Sequence, residues 1–444
     1  MNASFKTAVK SADGQVREDY IPAADYISPE FFAREKAGLW PRVWQMACRE
    51  EEIPKVGDYY TYDILDDSVI VVRTGPDAFA AYYNVCPHRG RRLTGGCGHT
   101  GRFHCRFHGW QWAIDGKNTL VVDRHEWGAA LTDADVDLKP VKLGRWGGWI
   151  YVNMDPDCVP LEDFLAPAKA MLDPFELHGL RYQWRKSTIL PCNWKVALEA
   201  FDEGYHVQTT HRQMLEYMDD LTVSRTYGAH SMFGYWTALP MGSRSQRIGG
   251  PLTEDIRPGI LAYMEDMAAT LNAGSAVQAV HAARRLVQEV APGTSPMEVL
   301  AAFGQFIRED SERRGAGFPA ITPEQMYAAG VDWHLFPNQI MLQSATGLLG
   351  YRARPNGDDP DSCIWDVYSL QRYPKGEEPN VVQEWSQDHA DESFWGRILC
   401  QDYENMADIQ RGMKCRGFAG ARPNPSQELA VSNFHRALHD FIAD

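Results

Sequence analysis

The chain has 444 residues and carries 44 basic against 59 acidic side chains, a formal net charge of −15 at pH 7. Hydrophobic residues make up 44% and charged residues 23%, a soluble globular composition with room for two domains. The acidic balance argues against general nucleic-acid binding, and no segment approaches the roughly 18 continuous apolar residues of a membrane helix.

No apolar core marks the N-terminus as a signal peptide, and nine cysteines without a small-domain framework suit reduced thiols and metal ligands in the cytoplasm. Residues 28–41, SPEFFAREKAGLWP, predict a Ser-capped amphipathic helix that stops at Pro41. From Val56 to about Asp155 the runs DYYTYDI, SVIVVRT, FAAYYNV and WGGWIYVNM are β-branched and aromatic, separated by Gly, Asp and Pro. They predict a small antiparallel β domain. A strand is expected in RYQWRKSTIL, and a helix from Asn193 through CNWKVALEAFDEGYHVQTTH. Residues 254–330 read as mostly helical. Strands return in NQIMLQSATGLLGYRARP and CIWDVYSLQRYP, and ESFWGRILCQDYENMADIQRGM is helical. Strands and helices are segregated rather than alternating, so the fold class is α+β.

Two stretches carry chemistry. In the β domain, Cys86 and His88 form C-x-H, and Cys105 and His108 form C-x-x-H. Two short pairs on facing loops can clamp a metal, since each needs one tight turn, and spacing alone admits a structural zinc. Cys97, His99 and His104 fit neither pair. In the second stretch Glu199, Glu203 and His206 fall at i, i+4 and i+7, one face of a helix. His211 follows His206 by five residues. That offset suggests a π-turn, or a helix ending at Thr209–Thr210, so that His211 swings back beside His206. Two His and a carboxylate leave open positions on non-haem Fe(II).

CPHRGRRL with CRFHGWQW closely resembles the Rieske [2Fe–2S] signature, and NWKVALEAFDEGYHVQTTH resembles the mononuclear-iron segment of Rieske oxygenases. The resemblance covers most of the chain and is weakest at residues 214–330. It implies a small antiparallel β Rieske domain over residues 42–156. Residues 1–41 and 157–444 would form a helix-grip (START-like) catalytic domain, an antiparallel sheet flanked by helices. Cys86 and Cys105 would hold one iron of the cluster, and His88 and His108 the other, which raises the reduction potential above that of a four-Cys cluster. His206 and His211 would hold the mononuclear Fe(II) with Asp402 in LCQDYENMADIQ; Asp388, Asp391 and Asp408 are alternatives. Family members pass electrons between subunits of a trimer through an acid three residues before the first ligand His. Here that acid is Glu203, with Asp202 beside it, and it would join His206 to His108 of a neighbouring copy.

No G-x-G-x-x-G follows a strand, so electrons from NAD(P)H are expected through a separate reductase or ferredoxin. From Ala78 to Ile114 there is no acid, while Arg89, Arg91, Arg92, Arg102 and Arg106 surround the cluster ligands, a landing site for an acidic partner. A small β subunit is left open. The resemblance implies the terminal oxygenase of a multicomponent system that hydroxylates an aromatic or hydrophobic ring. Phe201, Val207, Met214, Phe336 and Leu342 are the pocket residues expected. The alternatives are a monooxygenase performing N- or O-dealkylation, towards which Glu203 tilts the reading, and a non-enzymatic electron-transfer Rieske protein.

Overall fold

Runs of β-branched and aromatic residues become strands where their alternate positions find a second layer to cover them. The computed structural model describes residues 20–236, 241–251 and 253–443, with the backbone of residues 9, 10, 16 and 17. They divide into two compact units, Lys36–Phe164 and Met1–Glu35 with Leu165–Asp444.

The smaller unit is built on a seven-stranded sheet. Its strands in chain order are β1 (Gln45–Arg49), β2 (Asp58–Ile64), β3 (Asp67–Arg73), β4 (Phe79–Tyr83), β5 (Cys97–His99), β9 (Pro140–Trp146) and β10 (Trp149–Asn153), lying side by side as β1-β10-β9-β4-β3-β2-β5. Three short strands, β6 (Arg102–His104), β7 (Gln111–Ala113) and β8 (Asn118–Leu120), make a second sheet. Val69 to Val72 of β3 are fully buried. Under the loops that carry the Cys/His pairs lies an apolar cluster of Leu93, Phe103, Trp110, Trp112, Val136 and Leu138. Trp112 also donates its indole N–H to the Val136 carbonyl at 2.6 Å, so the largest side chain there leaves no polar group unpaired.

The larger unit has an eight-stranded sheet. Its strands are β11 (Arg181–Leu190), β12 (Val223–Tyr227), β13 (His230–Gly234), β14 (Asp332–Leu335), β15 (Gln339–Gln343), β16 (Gly347–Asn356), β17 (Asp359–Gln371) and β18 (Gln383–Trp385), ordered β12-β13-β14-β15-β16-β17-β11-β18. All neighbours are antiparallel except β11 and β18. The expected helix near residue 28 is α1 (Pro29–Gly38), with Ser28 Oγ accepting the Phe31 N–H at 3.2 Å.

The stretch from Asn193 differs from its reading as one continuous helix. It forms α2 (Trp194–Glu199), breaks, and resumes as α3 (Val207–Thr210). The break has a local cause. Glu203 Oε2 accepts the backbone N–H groups of Tyr205 and His206, which therefore cannot continue the ladder of α2. Three helices follow, α4 (Arg257–Thr270), α5 (Ala276–Glu289) and α6 (Pro296–Arg313), then α7 (Arg397–Met413) and α8 (Leu429–Ile442). Helix α8 lies outside the segments expected to be helical. Among the described residues no helix is long and apolar enough to cross a membrane.

Buried charges tie the N-terminal segment to α2 and α8. Lys195 Nζ meets Glu35 Oε1 at 2.6 Å with both side chains fully buried. His435 donates from both ring nitrogens, to Asp25 Oδ2 at 3.2 Å and Glu199 Oε1 at 2.6 Å, while His439 Nε2 adds a 2.7 Å contact to Asp25. The Asp25, His435 and His439 ligand atoms lie close enough to hold a metal, but a His435 ring bonded to carboxylates at both ends is an imidazolium with no lone pair to give. Burial alone would lower its pKa, yet Glu199 and Asp25 outweigh that and raise it to about 9. The folded value lies above the unfolded one near 6.5. The network's stability is therefore fully present below about pH 6.5 and is lost as pH rises through about 9. We expect the melting temperature to fall between pH 7 and 9.5. His435→Gln should start about 3 kcal/mol or more less stable and show a flatter profile across that window in thermal scans. Parallel profiles would rule the network out as the source.

Candidate metal centres

The two loops of the smaller unit repeat one design. Each reads Cys-x3-Gly, and in each the glycine N–H returns to the cysteine carbonyl at 3.0 Å, from Gly90 to Cys86 and from Gly109 to Cys105. The cysteine N–H groups close the same turns, to Arg91 O and Trp110 O, both at 2.8 Å. Gly90 and Gly109 have φ of 75° and 77°, which a side chain would strain. The turns bring the His88 and His108 rings to 4.5 Å, inclined at 70°. His88 also stacks on Trp110 at 5.0 Å.

Both Nδ1 atoms, of His88 and of His108, are buried with no hydrogen-bond partner among the described residues. Two orphaned imidazole nitrogens side by side are costly unless another group engages them. The thiols of Cys86 and Cys105 are hydrogen-bonded to one another. Burial raises the Cys86 thiol. For Cys105 burial acts in the same sense, but the N–H groups of Phe107 and His108 and the Cys86 thiol reverse it, so the net shift is downward. Two sulfurs supported by backbone N–H groups and two nitrogens with no other partner fit a Rieske [2Fe–2S] cluster. The other Cys and His of the stretch stand apart: Cys97 and His104 are exposed, and His99 pairs with Asp58 at 2.9 Å. Arg89, Arg91 and Arg92 are exposed around the ligands. Arg92 is tied to Asp63 at 2.8 Å, and Arg89 lies over the Phe107 ring, which is 55% exposed.

The second centre belongs to the larger unit. The Asn-Trp-Lys triplet fixes the start of α2. Asn193 accepts the Lys195 N–H at 3.1 Å as a cap and donates to the Tyr26 and Pro360 carbonyls, while Lys195 is locked on Glu35. From that anchor the broken segment delivers His206 and α3 ends at His211, the helix-end alternative rather than a π-turn. Asp402 on α7 meets both: its Oδ1 is 2.9 Å from His211 Nε2 and 3.7 Å from His206 Nε2. One ligand atom from each of His206, His211 and Asp402 lies within 4.8 Å of the others, so the three can hold one metal ion. The alternative acids lie elsewhere. Asp391 caps the helix beginning at Glu392, Asp388 accepts the Ala390 N–H, and Asp408 pairs with Arg411 in solvent.

Hydrogen bonds aim the imidazoles. His206 Nδ1 is 2.6 Å from Glu203 Oε1, and His211 Nδ1 is 3.0 Å from Gln401 Oε1, so both Nε2 atoms point to Asp402. Burial works against charge on His206, but Glu203 outweighs it and raises the pKa to about 9. Glu203 reaches His206; Asp202 instead bonds His334 Nδ1 at 3.0 Å. Burial and then Glu199 and Glu203 hold the Asp202 carboxyl well above the usual range. Gln401, itself paired with Gln213 at 2.9 Å, was not among the residues expected. It directly precedes Asp402, but its turn towards His211 depends on the packing of α7 against α3.

Of the expected pocket residues, Phe201 stacks on Tyr351 at 4.4 Å and Trp365 at 4.9 Å. Val207 and Met214 share an apolar cluster with Leu215, Met218 and Ile398. Leu342 is on β15, and Phe336 packs on Phe434 and Phe441. A cavity of about 580 Å³ opens beside Gln213 and Gln401, lined also by Thr209, Arg212 and Arg397.

Residues 174–444 match the family model of the ring hydroxylating alpha subunit (catalytic domain), and residues 43–126 match that of the Rieske [2Fe-2S] domain. The chain is 33% identical over 221 residues to the carnitine monooxygenase oxygenase subunit of Escherichia coli K12, covering 49% of this chain and 57% of that one. It is 31% identical over 196 residues to the glycine betaine monooxygenase oxygenase subunit of Chromohalobacter salexigens, covering 44% of each. The matched region thus spans about half the length of these curated relatives. A quaternary ammonium Rieske monooxygenase solved with L-carnitine superposes with a TM-score of 0.62 over 95% of both chains at 18% identity, which speaks to fold.

Proposed function

The chain belongs to the Rieske-type ring-hydroxylating oxygenase α subunits, and on that premise we propose that it is a terminal oxygenase that monooxygenates a cationic alkylamine, a quaternary ammonium compound first among them. Ring hydroxylation, the first expectation from sequence, yields to the dealkylating alternative because relatives at 31–33% identity include the monooxygenases of carnitine and glycine betaine, although anthranilate 1,2-dioxygenase of Acinetobacter baylyi is 33% identical over 195 residues as well. The observation that carries the oxygenase reading is the convergence of His206, His211 and Asp402, which an electron-transfer protein does not need.

When bound, the cluster held by Cys86, His88, Cys105 and His108 supplies single electrons, and the iron held by His206, His211 and Asp402 supplies a centre for O2 reduction. The chain's own part is placement. Gln401 and Glu203 fix the two imidazoles, and the apolar cluster of Val207 and Met214, residues that follow His206 and His211 closely in the chain, supplies apolar surface. Hydroxylation of a carbon beside nitrogen then leads to an amine and an aldehyde. Electrons come from a separate NAD(P)H-dependent reductase or ferredoxin that lands on exposed Arg89 and Arg91 beside Phe107. They cross from His108 of a neighbouring copy to Glu203 and His206.

The test is a product screen with a surrogate reductase, NADH and O2 over quaternary ammonium compounds, N-methylated amines, aromatic acids and polycyclic rings. Amine and aldehyde from the ammonium substrates are expected. Diols or phenols from rings, with no amine turnover, would return the reading to ring hydroxylation.

A further inference from the structure

Asp332 is a feature of the larger unit that its packing leaves unexplained. It opens β14, and strand alternation puts its side chain on the same face as that of His334. His334 Nδ1 bonds Asp202, so this face lies against the segment that leads to His206. The register carries the face across the sheet. Phe233 stands opposite Asp332, Ile340 opposite His334, and Tyr351 opposite Ile340. Tyr351 in turn holds the Phe201 ring at 4.4 Å.

On that face Asp332 is 1% exposed, and its Oδ2 is buried with no hydrogen-bond partner among the described residues. Among the described residues Asp202 and Asp219 also leave one oxygen unpartnered but hold His334 and Gln246 with the other, and further buried acids of the unit are answered: Asp25 by His435 and His439, Glu35 by Lys195, Asp220 by Arg247, Asp366 by Arg352, Asp402 by His211. A buried carboxylate without a partner is costly and waits on a cation or a proton. Burial, with Asp202 second, accordingly pushes its carboxyl well above the usual range. Burial above all, with Asp402, Tyr403 and Asp332 behind it, pushes the Tyr351 hydroxyl well above its usual range.

Resting on the amine reading above, we propose that Asp332 is the subsite for the substrate's positive charge, pairing with an ammonium group whose alkyl substituents lie on the Phe233 and Tyr351 rings. A quaternary ammonium needs no hydrogen bond, and its match is a buried anion among aromatic faces.

The test uses the holoenzyme and calorimetric titration with matched probes: choline, glycine betaine and L-carnitine, each against the carbon isostere in which a tert-butyl group replaces trimethylammonium. At least one ammonium probe should bind about tenfold or more tighter than its isostere. Asp332→Asn should remove that preference while leaving isostere affinity, melting temperature and cluster absorbance as in the parent. Asp332→Glu, which restores the charge, should recover part of the preference. An unchanged preference in Asp332→Asn overturns the assignment yet leaves amine turnover in the product screen standing. No preference in the parent protein overturns it as well, and ring products in the screen would then show that the amine reading itself had failed.

Discussion

Asp402→Ala is expected to lose the mononuclear iron and all measurable turnover, at least about a thousandfold, while keeping the fold and the cluster chromophore. Asp402 is 4% exposed and touches both imidazoles, so it is the single negative charge that the three-residue set brings to a divalent ion. Without it His206 and His211 remain aimed by Glu203 and Gln401, but two neutral nitrogens hold Fe(II) weakly and leave its charge buried and unbalanced. The fold should survive because α7 is held by Leu399, Tyr403 and Met406, whose apolar contacts the change leaves in place. Metal analysis should fall from three irons per chain to two. Asp391→Ala is the control. It removes the cap of the helix at Glu392, costing about 1 kcal/mol, and should retain all three irons. Three irons in Asp402→Ala would transfer the ligand role to another acid.

The ligand loops of the smaller unit and four of its ten strands could be read because their chemistry is local. Cys-x3-Gly occurs twice, each copy closes one turn on itself, and the strands around it alternate without help from distant chain. The catalytic unit was legible in part of its elements, strands β12, β13, β14 and β18 not being among those expected, and less so in their joints. The spacing of Glu199, Glu203 and His206 satisfies a continuous helix, and nothing in a 3.6-residue period reports that Glu203 will take two backbone N–H groups for itself and break the ladder. Helix α8 was missed although its apolar pattern is strong, because the polar residues Asn433 and His435 on its inner face look like surface until Ser231, Asp25 and Glu199 are placed against them. Gln401 and Asp332 lie beyond sequence reasoning for the same reason. Each acquires meaning from a partner, or from the lack of one, that is set by tertiary packing. The family resemblance could point to Asp402, but separating it from Asp388, Asp391 and Asp408 took the placement of α7 beside His211.

Glu203→Ala should leave all three irons bound and still stop coupled turnover. Glu203 is 8% exposed; one oxygen is 2.6 Å from His206 Nδ1, and the other accepts the N–H groups of Tyr205 and His206. Its loss leaves His206 Nε2 facing Asp402, so metal content should hold, although the start of α3 loosens. What goes is the hydrogen-bonded route by which the cluster of a neighbouring copy would reach the iron. Rapid mixing separates the steps. Reduction of the cluster by the donor should keep its parent rate, because the landing site proposed for the donor, Arg89 and Arg91, does not include Glu203. Re-oxidation of the reduced cluster by substrate and O2 should slow by about a hundredfold or more. Glu203→Gln keeps the length but only one acceptor oxygen, which can take the two N–H groups and keep the break between α2 and α3 while its amide nitrogen, a donor, faces His206 Nδ1; it should hold the fold and the irons yet stay slow in re-oxidation. If the role were structural alone, Gln and Ala would differ in melting temperature and iron content, and cluster re-oxidation would track the iron. Parent-like turnover in Glu203→Ala removes the bridge, and electrons would then have to reach His206 by another path.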